Sequence, residues 1–214
     1  NDIVDGGLGI DLLDLSAATD NVTVNLYTTT AQTVSATQGT DTITNIENAL
    51  GGNYNDTLRG TSAANILTGG AGNDRLGGFE GNDSVYGGLG NDTMFGDAGN
   101  DLLDGGDGND TISAGTGNDI VNGGAGIDLL DLSTATDAVT VNLYVTTAQT
   151  VSATQGTDTI TNIENVLGGN YNDTLRGTSA ANTLTGGAGN DRLGGLEGND
   201  SVYGGLGNDT MFGD

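Results

Sequence analysis

Across residues 51–131 an apolar side chain returns every ninth residue, at Leu58, Leu67, Leu76, Val85, Met94, Leu103, Ile112, Val121 and Leu130. The six residues ahead of each are mostly glycine, asparagine and aspartate, as in GGAGNDRLG at 69–77. One apolar position in nine is too sparse for a helix face and too regular for a loop. It predicts a strand of about three residues with one side chain turned inward, then a turn of about six, repeated. Two such units close a coil of strand, turn, strand and turn. Coils stacked at about 4.8 Å make the fold all-β, a parallel β-roll or β-helix solenoid with eighteen residues per coil.

Two stretches leave this frame, 15–50 and 132–167, each equal in length to four nonapeptides. Their alternating, β-branched segments at 22–27, 32–37 and 41–50 predict strands that continue the solenoid as wider, metal-poor coils. A small side lobe is the alternative. The chain then divides into an array end at 1–14, an insert at 15–50, an array at 51–131, a second insert at 132–167 and an array at 168–214, roughly twelve coils in all. A longer period of 117 residues overlies the short one, with only eight differences between 1–97 and 118–214. Copies this similar tile into a longer array and tell against a unique active site. Starting and stopping inside nonapeptides, the chain reads as part of something longer.

Charge turns this pattern into a metal hypothesis. There are 29 carboxylates against four arginines, no lysine and no histidine, for a net charge of −25. Such a chain repels itself unless something cationic folds it. The acids are not in blocks; most hold the sixth place of the nonapeptide, two residues before the apolar one. Eighteen-residue coils put Asp56, Asp74, Asp92, Asp110 and Asp128 in register on one edge and Asp83, Asp101 and Asp119 on the other. Asp11, Asp173, Asp191, Asp200 and Asp209 hold the same place elsewhere. Glycines at places one, two and four permit positive φ and let carbonyl oxygens point inward. With no cysteine or histidine, zinc and copper are excluded, and clustered carbonyl and carboxylate oxygens suit calcium. Folding and metal binding become one event. The sign of the charge excludes nucleic acid, no apolar run is long enough for membrane insertion, and paired acids without a cleft do not make a glycosidase.

The words GGAGNDRLG, GGLGNDTMF and GGDGNDTIS resemble the repeats-in-toxin (RTX) family over roughly two thirds of the chain. The segment TDTITNIENALGG is similar to stretches between arrays in large proteins of this kind. The resemblance implies a parallel β-roll with calcium between adjacent turns, in proteins secreted by bacterial type I exporters. It implies ligands as follows. Gly70, Gly72 and Asp74 face Gly87, Leu89 and Asp92. Gly88, Gly90 and Asp92 face Gly105, Asp107 and Asp110, and Gly106, Gly108 and Asp110 face Gly123, Ala125 and Asp128. On the other edge Phe79, Gly81 and Asp83 face Gly96, Ala98 and Asp101, while Asp97, Gly99 and Asp101 face Ala114, Thr116 and Asp119. Gly187, Gly189 and Asp191 face Gly204, Leu206 and Asp209 in the second copy. Asn65 and Asn182 replace the acid and predict empty or weak sites; Tyr54 and Tyr171 replace the fourth glycine and put their turns in doubt. Asp20 and Asp137, eighteen residues after Asp2 and Asp119, fall in frame and would each close one more site.

The expectation is a non-enzymatic, calcium-binding structural segment of a large secreted or cell-surface bacterial protein, of adhesin or surface-layer type, folded by about ten calcium ions after export. Its partners are calcium and its own neighbouring repeats, with end-to-end self-association or contact with a cell surface or polysaccharide as further expectations, and the inserts are the candidates for specificity. Alternatives are a carboxy-terminal secretion and folding module of an exported enzyme, or a filament formed by end-to-end self-association.

Overall fold

The computed structural model describes residues 1–213, and their regular structure is entirely strand, in segments of three to six residues. Every nonapeptide supplies one strand centred on its apolar residue. Thr93–Phe95 and Thr111–Ser113 are the short kind, and Ser84–Leu89 and Leu102–Asp107 run on through the next two glycines. Each strand lies parallel to the one eighteen residues on. Val85 sits between Leu67 and Leu103, and Met94 between Leu76 and Ile112. Leu58, Leu67, Leu76, Val85, Met94, Leu103, Ile112 and Val121 are all 0% exposed and belong to one continuous core. Outside, the fifth-place asparagines form a ladder of their own. The Asn91 N–H donates to Asn73 Oδ1 and the Asn109 N–H to Asn91 Oδ1, at 2.8 and 2.7 Å. These turn formers therefore also tie coil to coil.

Coils change width at the inserts. In the arrays a coil has two strands; at the second insert it has three, Ile120–Ala125, Leu129–Asp131 and Thr140–Asn142. The next coil, Gly156–Thr161, Asn165–Leu167 and Thr174–Arg176, lies directly on these, strand on strand. Between them Gln149–Ser152 folds back as an antiparallel hairpin against Gly156–Thr161. Stacked partners here are 39, 36 and 34 residues apart instead of eighteen. The first insert repeats the arrangement with Ile3–Asp5, Leu12–Asp14 and Thr23–Asn25 under Gly39–Thr44, Asn48–Leu50 and Thr57–Arg59.

Three-strand coils let the solenoid change sheets. Before the second insert the nine-stranded sheet closes coils with the eight-stranded one. After it, the same nine-stranded sheet continues through Thr183–Ala188 and Ser201–Leu206, and closes coils with a four-stranded sheet of Thr140–Asn142, Thr174–Arg176, Arg192–Gly194 and Thr210–Phe212. The stack holds about nine turns. That is fewer than the twelve obtained by dividing the chain by eighteen, because each wide coil consumes about twice as many residues.

A core built from one inward side chain per strand makes its members unequal to their neighbours. Leu103→Ala is expected to destabilise the calcium-saturated fold by about 2–5 kcal/mol. Leu89, 56% exposed one turn away, should tolerate alanine within about 0.5 kcal/mol. Urea unfolding of both variants in saturating calcium checks the contrast.

Candidate metal centre

The sixth-place aspartates form the ladder that their spacing implies. Each directs Oδ1 to the preceding coil. The N–H of Asp74 donates to Asp92, Asp92 to Asp110 and Asp110 to Asp128, all at 2.8 Å. On the other edge Asp83 donates to Asp101 and Asp101 to Asp119, again at 2.8 Å. The second oxygen turns back into its own turn. Oδ2 of Asp11, Asp74, Asp83, Asp92, Asp101, Asp110, Asp119, Asp128 and Asp191 is buried and meets no donor. An unpartnered buried acceptor costs about 1–3 kcal/mol, and a charged one more.

What surrounds these oxygens is other acceptors. A Cβ on Gly69 would meet Asp74 Oδ2 together with the Gly87 carbonyl oxygen of the next coil, 2.7 Å away. Gly87 stands in the same way against Asp92 Oδ2 and the Gly105 carbonyl, and Gly78 against Asp83 Oδ2 and the Gly96 carbonyl. First-place glycine thus answers to crowding, with Ala114 the exception in the Asp119 turn, and second-place glycine to conformation: Gly88 has φ +115°. On the other edge Phe79, Asp97 and Leu196 hold that place at φ 82°, 68° and 74°, a strained backbone for such residues. No three acidic side chains converge among the described residues, so turn carbonyls must complete any shell. The donor set of carboxylates and carbonyls fits a hard cation of calcium's kind.

Four turns satisfy the same space differently. The Gly52 N–H donates to Asp56 Oδ2 at 2.6 Å, and the Gly169 N–H to Asp173 Oδ2 at 2.8 Å. Val22 and Val139 supply the Oδ1 bonds, so both oxygens of Asp56 and Asp173 have donors. Thr61 and Thr178 likewise donate to Asn65 and Asn182 at 2.6 Å. None of these second-place residues has positive φ. The peptide is turned so that an N–H, and not a carbonyl, points inward. Asp56 and Asp173 therefore differ from the other acids of the ladder, although their spacing is the same.

Other acids sit where the eighteen-residue count does not place them. Asp20 accepts from Ser35, Thr37 and their hairpin, and Asp137 from Ser152 and Thr154; neither joins the ladder. Its rungs across the wide coils are Asp41, Glu47, Asp158 and Glu164, which accept from the N–H groups of Asp2, Asp11, Asp119 and Asp128 at 2.8–2.9 Å. A signal for them exists in the sequence: each precedes a buried apolar residue by two, as Asp158 precedes Ile160 and Glu164 precedes Val166.

No arginine neutralises the ladder; among the described residues the ion pair present joins the Asn1 ammonium to Asp41. Burial therefore drives the carboxyls upward from their ordinary 3.8. The backbone N–H bond opposes this and neighbouring carboxylates reinforce it. Asp74 and Asp119 are pushed up to about 7, and Asp83, Asp101, Asp110 and Asp128 to about 6. Asp20 and Asp137, held by threonine and serine hydroxyls, go down instead.

A family model described as the RTX calcium-binding nonapeptide repeat matches residues 50–78, 78–103, 95–130, 167–202 and 192–214, more than half of the chain. No curated protein matches it significantly.

Raised carboxyl values fix the sign of a pH effect. Without metal, the folded chain keeps protons between about pH 4 and 7 that the unfolded chain has released. Metal-free stability is therefore fully present below the unfolded value and lost as pH rises through 6 to 7. In calcium-free buffer the β signal in circular dichroism should grow as pH falls from 8 to about 4.5, and the calcium midpoint at pH 6 should exceed that at pH 8. A metal-free spectrum that is flat over this range would contradict the ladder's burial.

Proposed function

The chain belongs to the RTX calcium-binding nonapeptide repeat family, and we propose that it is a calcium-folded structural segment of a large secreted or cell-surface bacterial protein, of adhesin or surface-layer type, and not an enzyme. RTX nonapeptide repeats bind calcium, and their β-rolls are structural modules. The observation that carries the reading is the set of nine buried Oδ2 atoms without a donor, eight of them beside a turn glycine whose Cβ would also meet a carbonyl oxygen of the neighbouring coil. A divalent cation there satisfies the carboxylate, the carbonyls and the repulsion between successive rungs together. On this reading about nine ions bind, one for each such oxygen. Asp56, Asn65, Asp173 and Asn182 mark turns that close without one.

The chemistry favours calcium over magnesium. Backbone carbonyls and carboxylates that crowd an irregular turn accommodate six to eight ligands, whereas magnesium demands a tight octahedron and retains water. In a compartment poor in calcium the ladder stays charged and the chain stays open, a form suited to export through a narrow channel. Outside, calcium fills the turns and the coils lock. RTX proteins are typically secreted by type I systems, which supports this order of events. A 117-residue unit followed by 97 residues of a near-identical copy supports a rod whose length scales with copy number. No helix among the described residues is long and apolar enough to cross a membrane.

A calcium titration followed by far-ultraviolet circular dichroism tests the reading. The expected result is a cooperative rise of β signal with a midpoint near about 10⁻⁴ to 10⁻³ M, the range of extracellular calcium modules. Magnesium at the same concentrations should give no comparable change. A full β signal in chelator at pH 8, indifferent to calcium, would overturn it.

A further inference from the structure

The inserts interrupt the nonapeptide, yet one edge of each wide coil is built like a metal turn. Above Asp128, where an array supplies six residues of turn, the chain supplies three, Asn162, Ile163 and Glu164. Asn162 has φ 51°, and its side chain is anchored by a 2.8 Å bond from its Nδ2 to Asn122 Oδ1. Its carbonyl oxygen takes the place that a first-place glycine carbonyl takes elsewhere. A Cβ on Gly123 would meet the Asn162 carbonyl oxygen and lie 2.6 Å from Asp128 Oδ2, as one on Gly105 would meet the Gly123 carbonyl and Asp110 Oδ2. Glu164 Oε2 accepts from the Asp128 N–H at 2.9 Å, the part that Asp128 Oδ1 plays for Asp110. Asp128 itself is 0% exposed, and its Oδ2 has no donor.

The first insert repeats each element. Asn45 has φ 52° and is anchored by a 2.7 Å bond to Asp5. A Cβ on Gly6 would meet the Asn45 carbonyl and lie 2.8 Å from Asp11 Oδ2. Glu47 accepts from the Asp11 N–H at 2.9 Å, and Asp11 Oδ2 is again without a donor. Glutamate in place of aspartate follows from the short turn. In the short turn the Glu47 and Glu164 N–H groups lie on the Asp11 and Asp128 carbonyls at 3.3 Å, so each N–H faces a carbonyl instead of a carboxylate on the next rung, and the longer side chain brings Oε2 back to the Asp11 and Asp128 N–H groups. On the far side of the same rung the next coil supplies an amide where a cation would stand. Asn65 Nδ2 donates to the Glu47 carbonyl at 2.6 Å, and Asn182 Nδ2 to the Glu164 carbonyl at 2.8 Å.

We propose that Asn45 and Glu47 with Asp11, and Asn162 and Glu164 with Asp128, form two calcium sites that join residues 36 apart and carry the metal column into each insert. The carboxylates and the asparagine carbonyl are the ligands, and Asn65 and Asn182 end the column one coil later. The proposal rests on the calcium reading of the repeats, and ion counting separates the two. Native mass spectrometry at the lowest calcium that saturates the wild type, read on the compact charge states, gives ions per folded chain. Glu164→Gln alone should carry one ion fewer, and Glu47→Gln with Glu164→Gln two fewer. Glu47→Asp with Glu164→Asp should also carry two fewer, because charge is kept and reach is lost. Asp20→Asn with Asp137→Asn should keep the wild-type number. An unchanged count in the glutamine pair overturns the two sites and leaves the calcium reading standing. A wild type that carries no calcium overturns both.

Discussion

A carboxylate oxygen buried among acceptors is the constraint on which this fold depends. Each coil adds such a group to each edge, about 4.8 Å from the last. At an effective dielectric near 20, neighbouring charges at that spacing oppose each other by about 3 kcal/mol. The apolar gain from one nonapeptide is a single buried side chain, worth about 1.5–3 kcal/mol. The core column therefore cannot by itself offset the ladder, before any backbone entropy is counted. Something must enter the turn, either a cation or a proton, and the upward shift of Asp74 and Asp119 to about 7 expresses the same demand.

The turns show that a third answer exists. At Asp56 and Asp173 a peptide N–H points inward and takes Oδ2, and at Asn65 and Asn182 the charge is removed as well. Whether Oδ2 meets an N–H lies in one torsion at the second place. Positive φ, as at Gly88, leaves the carboxylate exposed to acceptors, and ordinary φ, as at Gly52, turns a donor toward it. Both closed turns of each copy follow directly on an insert. There the stacking can rely on fixed protein donors and needs no ion.

The parts of this arrangement that a local period determines were legible in the sequence. Leu58 through Val121 line the core, and Asp74 through Asp128 stack, because eighteen residues of constant coil place them so. The inserts break that premise. Asp20 and Asp137 fall in frame by count, but the hairpin occupies them, and the true rungs stand 36 and 39 residues away. Coil width is a property of which strands stack, and no local period reports it. Asp56 could not be told from Asp74 by spacing either, since the difference is the orientation of one peptide. Glu47 and Glu164 were within reach, for an acid two places before an apolar residue is the same signal read with a longer side chain.

The wide coils also bear on stiffness. A solenoid that changes from one pair of sheets to another needs a joint, and a flexible linker would make that joint a hinge. Here the nine-stranded sheet is shared by the arrays on both sides, running from Thr23–Asn25 to Ser201–Leu206 without a missing strand. Its inner residues Ile112, Leu130, Val166 and Leu184 stay in one column through the change. Bending at the joint would have to break parallel ladder bonds and separate that column. The first insert makes the same change one sheet earlier, with the eight-stranded sheet as the shared one. At both inserts the coil thus moves on by one sheet while strand pairing continues across the step, so the change of sheets is made without a hinge.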